Sequence, residues 1–255
     1  MPVSYRSTFL LLFAAALSGN AAAQVPMPLP RPAALKADVP RPVARPSDPS
    51  ANIPTPNAAP EDSEQPHCTE LIAADIATFE HVASVSGVSG GAFCGDRAPV
   101  RMTAVKLAGG GTVELTPAVV ARCEIALQFA RWVRDDLAAA ATPHDGTLQR
   151  IEIAASYSCR PRNNIAGARL SEHALANAID VRAIVVSRGG RIAIDDPVRP
   201  AILFSEMRRS ACARFTTVLG PGADAAHADH LHVDLRHRRN GYRICQWHQA
   251  DEPMP

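Results

Sequence analysis

Two histidines and one aspartate set the tightest condition on how this chain can fold. His173, Asp180 and His232 stand as HxxxxxxD and, much later, as the second His of HLH. Two imidazoles with one carboxylate make a three-ligand set for zinc. Catalytic zinc usually keeps three protein ligands and leaves one position to water, whereas structural zinc is closed by four, mostly Cys. The pattern therefore reads as a metal-dependent hydrolase, provided the three groups meet. On one unbroken helix His173 and Asp180 would lie roughly 10 Å apart along the axis, too far to share an ion. The chain must bend between them. Ser171 can open a short helical turn, and the apolar run from Ala178 to Val186 reads as a strand, which places Asp180 near that strand's start. HADHLHVD reads as a second strand, in which residues two apart share a face, so His230 and His232 point the same way. One can bind metal while the other lines the pocket. The Gly-rich, polar approach GPGADAAHAD suits a site loop better than the entry to a purely structural strand.

The N-terminal residues speak to location. Arg6, the apolar run Phe9 to Leu17 and the small residues Ala21, Ala22 and Ala23 make 1–23 a secretory signal. That run is shorter than the about 20 apolar residues a membrane span needs, and no later stretch is longer, so no span is expected once the signal is removed. Residues 24–66 shift to Pro and Ala with few large apolar side chains. Such a segment cannot bury enough surface to offset its ordering entropy, and it reads as a disordered spacer. In polyproline II form it would reach on the order of 100 Å. All six Cys lie beyond the signal, widely spaced and without a CxxC pair. This favours three disulfides over a zinc ribbon and points to a periplasmic or otherwise exported protein. Spacing alone does not choose the pairing; Cys212 with Cys245 is one possibility. A bridge at Cys159 would either stiffen the loop beside Arg160 or simply staple the fold.

Residues 67–255 make one domain of ordinary size. The net charge of +1 and the scatter of basic residues give no nucleic-acid signal. The exception is RHRRNGYR, Arg236 to Arg243, which is a solvated face or a patch for anionic polymer. A helix is expected from Pro117 to Ala141 with Thr116 as N-cap, Val120, Cys123, Leu127, Ala130 and Leu137 forming its buried stripe. Strands are expected at Ile151–Ala155, Ala178–Val186 and Arg191–Ile194, the last two joined by a hairpin through Arg188, Gly189 and Gly190. A second helix should span Pro200–Phe215, followed by the strand TTVLG and the HLHVDL strand. The ionisable residues of the N-terminal third form no readable pattern, and Trp132 and Trp247 read as packing residues. The expected architecture is α+β, a small, mostly antiparallel sheet with flanking helices on one side.

The segments SYSCRPRNNIAGARLSEHALANAIDV and VLGPGADAAHADHLHVDL resemble the extensin-like C-terminal family of bacterial envelope proteins, from Cys68 to Gln246. Through SxHxxxxAxD and HxH that family is similar to zinc peptidases that include D-alanyl-D-alanine carboxypeptidases, dipeptidases and the penicillin-insensitive murein endopeptidase. The resemblance implies a Hedgehog/DD-peptidase-like zinc site with His173, Asp180 and His232 as ligands. It implies Asp229 as general base, by analogy with enzymes bearing an acid three residues before the last ligand. It equally implies His227 and His230, which match the murein endopeptidase's pair. It also implies that Arg160, or Arg162, orients the substrate carbonyl or carboxylate.

The expected function is that of an exported zinc peptidase cleaving peptidoglycan stem or cross-link peptides. The alternative is a zinc-holding, non-catalytic scaffold that binds peptidoglycan. Zinc is the expected cofactor and peptidoglycan peptides the expected partners.

Overall fold

The computed structural model describes residues 66–89, 91–142, 146–198 and 200–248. The expected signal and, apart from Pro66, the expected spacer lie outside the described residues. The chain enters through helix α1 (Pro66–Ala74) and strands β1 (Ala77–His81), β2 (Val85–Ser89), β3 (Ala92–Asp96), β4 (Val100–Lys106) and β5 (Thr112–Ala121). Helix α2 (Cys123–Arg131) continues through a π-helical segment, Trp132–Leu137, into α3 (Ala138–Ala141). After β6 (Leu148–Ala155) come two 3-10 turns, Arg162–Asn164 and Glu172–Leu175, then β7 (Ala178–Val186) and β8 (Gly190–Ala193). Helix α4 (Ala201–Arg214), β9 (Thr217–Leu219), the 3-10 turn Ala225–His227, β10 (Leu231–Asp234), the 3-10 turn Arg239–Gly241 and β11 (Ile244–Gln246) complete the domain.

Mixed α/β content surrounds a body that is mostly sheet. The sheet is larger than expected: nine strands in the order β1-β4-β5-β6-β7-β10-β9-β11, with β8 beside β7. Pairings β5–β6 and β9–β11 are parallel and the others antiparallel. Strands β2 and β3 form a separate hairpin. The underestimate came from the N-terminal part, where β1, β4 and β5 add a whole wing whose alternating stretches, VRMT in β4 and VELT in β5, fall outside the strands expected from the sequence.

The helix expected from Pro117 does not start there. Residues 112–121 form β5, with Val113, Leu115, Val119 and Ala121 buried at strand spacing. Thr and Val are stiff at χ1 and suit a pleated strand, and pairing to β4 on one side and β6 on the other outweighs the helical reading. Pro117, which cannot donate to a ladder, falls in the gap between the two paired stretches of β5. Helix formation begins only at Cys123, where Arg122 is still extended.

Alternation along the central strands divides the sheet into two faces. Ile179 and Val181 on β7, Leu231 and Val233 on β10 and Val218 on β9 join the apolar core. Asp180, His232, Asp234 and Thr217 face the other way, into a cavity. The core side carries the helices: α1 packs on α2, α2 on β4 and β5, and α4 on the π-helical segment and β9. In that segment Asp135 and Asp136 both reach Arg214 of α4.

Three disulfides join Cys68 to Cys123, Cys94 to Cys159 and Cys212 to Cys245. They suit an oxidising, exported environment. Cys94–Cys159 ties the β2–β3 hairpin to the loop after β6, and β3 also packs on the turn that carries His173. Among the described residues, no helix is long and apolar enough to cross a membrane. The basic run 236–243 is largely committed to the fold. Arg243 donates to the carbonyls of Cys212, Ala213 and Phe215 at the end of α4, Arg238 to Thr216 and Thr217, and Arg236 lies 3.8 Å from Glu172.

Candidate metal centre

Strand pairing builds the floor of the site. His232 on β10 sits directly opposite Asp180 on β7, and Asp180 and His232 are flanked in the same register by Ala155 on β6 and Leu219 on β9. His173 arrives from the 3-10 turn Glu172–Leu175, whose N-cap Ser171 accepts from the His173 N–H. The turn ends at Ala176 in the left-handed region, φ 51°, and this reversal supplies the bend that HxxxxxxD requires. The loop after β6 clasps the same turn: Ser158 N–H donates to the His173 carbonyl, and Ser171 N–H to that of Arg160.

The three groups converge. His173 Nε2 lies 3.1 Å from Asp180 Oδ2, His232 Nδ1 lies 2.8 Å from Asp180 Oδ1, and the two ring nitrogens are 3.2 Å apart. All three residues are buried. Ligands held tetrahedrally around zinc at about 2.0–2.2 Å stand roughly 3.3–3.6 Å from one another. The groups present therefore fit a zinc ion after opening by a few tenths of an ångström, and the donor chemistry, two imidazoles and a carboxylate, suits it.

The imidazole of each candidate ligand is oriented from behind. His173 Nδ1 is 2.7 Å from the Ser156 carbonyl, so Nδ1 carries the proton and Nε2 presents its lone pair. His232 Nε2 is 3.1 Å from Asp234 Oδ2, which directs Nδ1 inward. Asp234 is itself held by the Thr217 hydroxyl and the Arg236 N–H. Replacing Asp234 with Asn, which removes the charge behind His232, is expected to weaken zinc binding about 10- to 100-fold, as read by chelator competition. Unchanged affinity would show that Asp234 merely packs.

Electrostatics follow from this geometry. Burial would raise the Asp180 carboxyl, but bonds to His173 and His232 outweigh it and hold Asp180 well below the usual carboxylate range. Burial would lower His232, but bonds to Asp180 and Asp234 push it up to about 9. A zinc ion held here would take the Nδ1 lone pair of the neutral ring only, so its binding would release this proton. Zinc affinity should thus climb about tenfold per pH unit from pH 6.5 to 8.5. A flat profile would mean that His232 does not gain this proton in the free protein.

Around the three groups is a cavity of about 500 Å³ lined by Arg160, Arg162, His227, His230 and Arg238 among others. His230 Nε2 lies 3.6 Å from Asp180 Oδ2, while its Nδ1 is 2.8 Å from Asp229 Oδ1. Asp229 is not part of the lining: its side chain is 54% exposed and pairs with Arg182. The bond from His230 and the nearby Arg182 hold its carboxyl below the ordinary range. His227 forms a parallel arrangement, Nδ1 lying 2.7 Å from Asp224 Oδ1. Burial keeps His227 below the usual imidazole range despite Asp224, whose own carboxyl is lowered against burial by the bond to His227. Sequence reasoning missed Asp234, Asp224 and the Ser156 carbonyl. Only Asp234 had a legible signal, two residues beyond His232 on the same strand face.

Residues 67–246 match the family model of the extensin-like protein C-terminus, and the chain belongs to that family. No curated protein and no solved structure matches it.

Proposed function

We propose that this extensin-like chain is an exported zinc-dependent peptidase with a Hedgehog/DD-peptidase-like site, cleaving peptidoglycan stem or cross-link peptides. The observation that carries the reading is the convergence of His173 Nε2, the Asp180 carboxylate and His232 Nδ1 on the floor of an open cavity. Zinc held there would supply Lewis acidity, which makes hydroxide accessible near neutral pH. His230 is the better placed proton acceptor, because Asp229 keeps the proton on Nδ1 and leaves Nε2 facing the Asp180 side of the cavity. Asp229 then acts through His230. The base accepts a proton from the attacking water, the oxygen adds to the amide carbon, and the proton passes to the leaving nitrogen as the C–N bond breaks. His227, neutral at pH 7, and Arg160 line the same cavity, where His227 would steady the reacting oxygen and Arg160 would polarise the carbonyl.

The test is digestion of purified sacculi, with and without a chelator, followed by muropeptide analysis. Soluble peptides or shortened stems should appear only with zinc. His230→Ala should lower kcat about 10²- to 10⁴-fold, and Asp229→Ala by less. An equal loss in both variants would make Asp229 the base. Zinc bound at one per chain with sacculi untouched would replace the enzyme by a metal-holding scaffold.

A further inference from the structure

The hydrogen bonds that hold Asp234 behind His232 continue outward to a half-buried arginine. Thr217 on β9 is the direct cross-strand partner of Asp234 on β10, and both side chains line the cavity. Each of the two residues is 3% exposed. Directly opposed residues bring their side chains together, and the Thr217 hydroxyl donates to Asp234 Oδ1. Arg238, in the loop after β10, donates from Nη2 to the same hydroxyl oxygen at 2.6 Å and from Nη1 to the Thr216 carbonyl at 2.9 Å.

The chemistry of these groups fixes the direction of each bond. A guanidinium only donates and an ionised carboxylate only accepts, so the hydroxyl between them accepts from Arg238 and gives its own proton to Asp234. Asp234 Oδ1 also accepts from the Arg236 N–H at 2.9 Å, while Oδ2 lies 3.1 Å from His232 Nε2. Turning the carboxylate so that Oδ2 leaves His232 would break both bonds to Oδ1. With Nε2 held in this way, His232 Nδ1 is kept toward Asp180, 2.8 Å away.

We infer that Thr217 and Arg238 are positioning residues of the metal centre: together they lock Asp234, and through it the ring of His232, in the orientation that presents Nδ1 to zinc. The inference rests on the zinc reading of His173, Asp180 and His232 and needs no peptidase activity. It gives Arg238 an effect opposite to that of a bare neighbouring charge. A nearby cation repels zinc, so erasing its charge alone would tighten binding, whereas erasing a positioning donor weakens it.

Zinc affinity of the full-length protein is measured by chelator competition, with the melting temperature of the metal-free protein alongside. Thr217→Val, which nearly keeps the shape but lacks the hydroxyl, should weaken zinc binding about tenfold, and Thr217→Ser, which keeps the hydroxyl, should recover most of that loss. Arg238→Met separates position from charge, because the charge is lost equally with or without the hydroxyl. Its effect in the wild type should therefore be weaker binding by about threefold relative to its effect in the Thr217→Val background. If Thr217→Val does not fold, the same comparison is made in the Asp234→Asn background. Undiminished affinity in Thr217→Val, a Thr217→Ser protein as weak as Thr217→Val, or an Arg238→Met effect that is identical in the two backgrounds would overturn the inference. The expected affinity changes in a protein that leaves sacculi intact would uphold it and remove the peptidase reading. A wild-type protein that takes up no zinc would remove both.

Discussion

Asp180→Ala is expected to abolish stoichiometric zinc binding, with affinity falling at least about a thousandfold and sacculus digestion falling with it. Asp180 is 3% exposed and lies within hydrogen-bonding distance of both imidazoles, one at each oxygen. Its removal leaves two neutral ligands without the carboxylate that neutralises charge in the buried floor. It also removes a partner that keeps His232 protonated in the metal-free protein, so the His232 imidazole should titrate lower. Because a buried pair loses one member, the metal-free protein should lose about 3–5 kcal/mol of stability at neutral pH. Asp180→Asn preserves the volume and one ligand oxygen and should fall between the wild type and Asp180→Ala. Zinc content by elemental analysis and thermal unfolding with and without chelator read both effects. An Asp180→Ala protein holding one zinc per chain would sink the proposed ligand set.

The second large effect is on the fold. Trp132→Ala should cost about 3–5 kcal/mol, lowering the melting temperature by about 10 °C or more. Trp132 is 0% exposed and lies in the π-helical segment. Its ring centroid is 5.6 Å from Phe129 and 5.7 Å from Phe215, and its Nε1 donates to Ser210 at 3.0 Å. The side chain therefore joins α2 to α4 through apolar area, ring contacts and a buried hydrogen bond. Trp132→Phe keeps the apolar contact but removes the donor to Ser210, whose hydroxyl still donates to the Met207 carbonyl, and should cost about 1 kcal/mol. Both variants, where folded, should still bind zinc, because Trp132 packs in the core on the face of the sheet away from the cavity. A loss below about 1 kcal/mol for Trp132→Ala would mean that the surrounding core closes over the gap.

Much of the C-terminal half was legible before any coordinates. The Ala178–Val186 run coincides with β7, the second helix differs from α4 by one residue at each end, and the Ser171 cap opens the turn as expected. These elements carry strong local signals: apolar runs, a capping hydroxyl and glycines at the hairpin. The N-terminal wing has alternating stretches, VRMT and VELT, and glycines at 109–111, but a competing local signal overrode them. Strand β5 contains the Thr-Pro pair that reads as a helix start, and only pairing to β4 and β6 reveals it as strand. The role of Asp229 was equally hidden. Three residues before His232 it resembles a base, yet its carboxylate turns to Arg182 and His230.

The amino-acid sequence by itself determined the two imidazoles and one carboxylate of the candidate site, the bend between His173 and Asp180 and the shared side of His230 and His232, because these depend on residue type and on short-range backbone periodicity. Tertiary structure alone decided which nitrogen of each imidazole faces inward, that Asp229 stands outside the cavity, and that arginines from distant segments line one cavity. Those outcomes depend on hydrogen bonds and strand registers between residues far apart in the chain, and local pattern does not encode them.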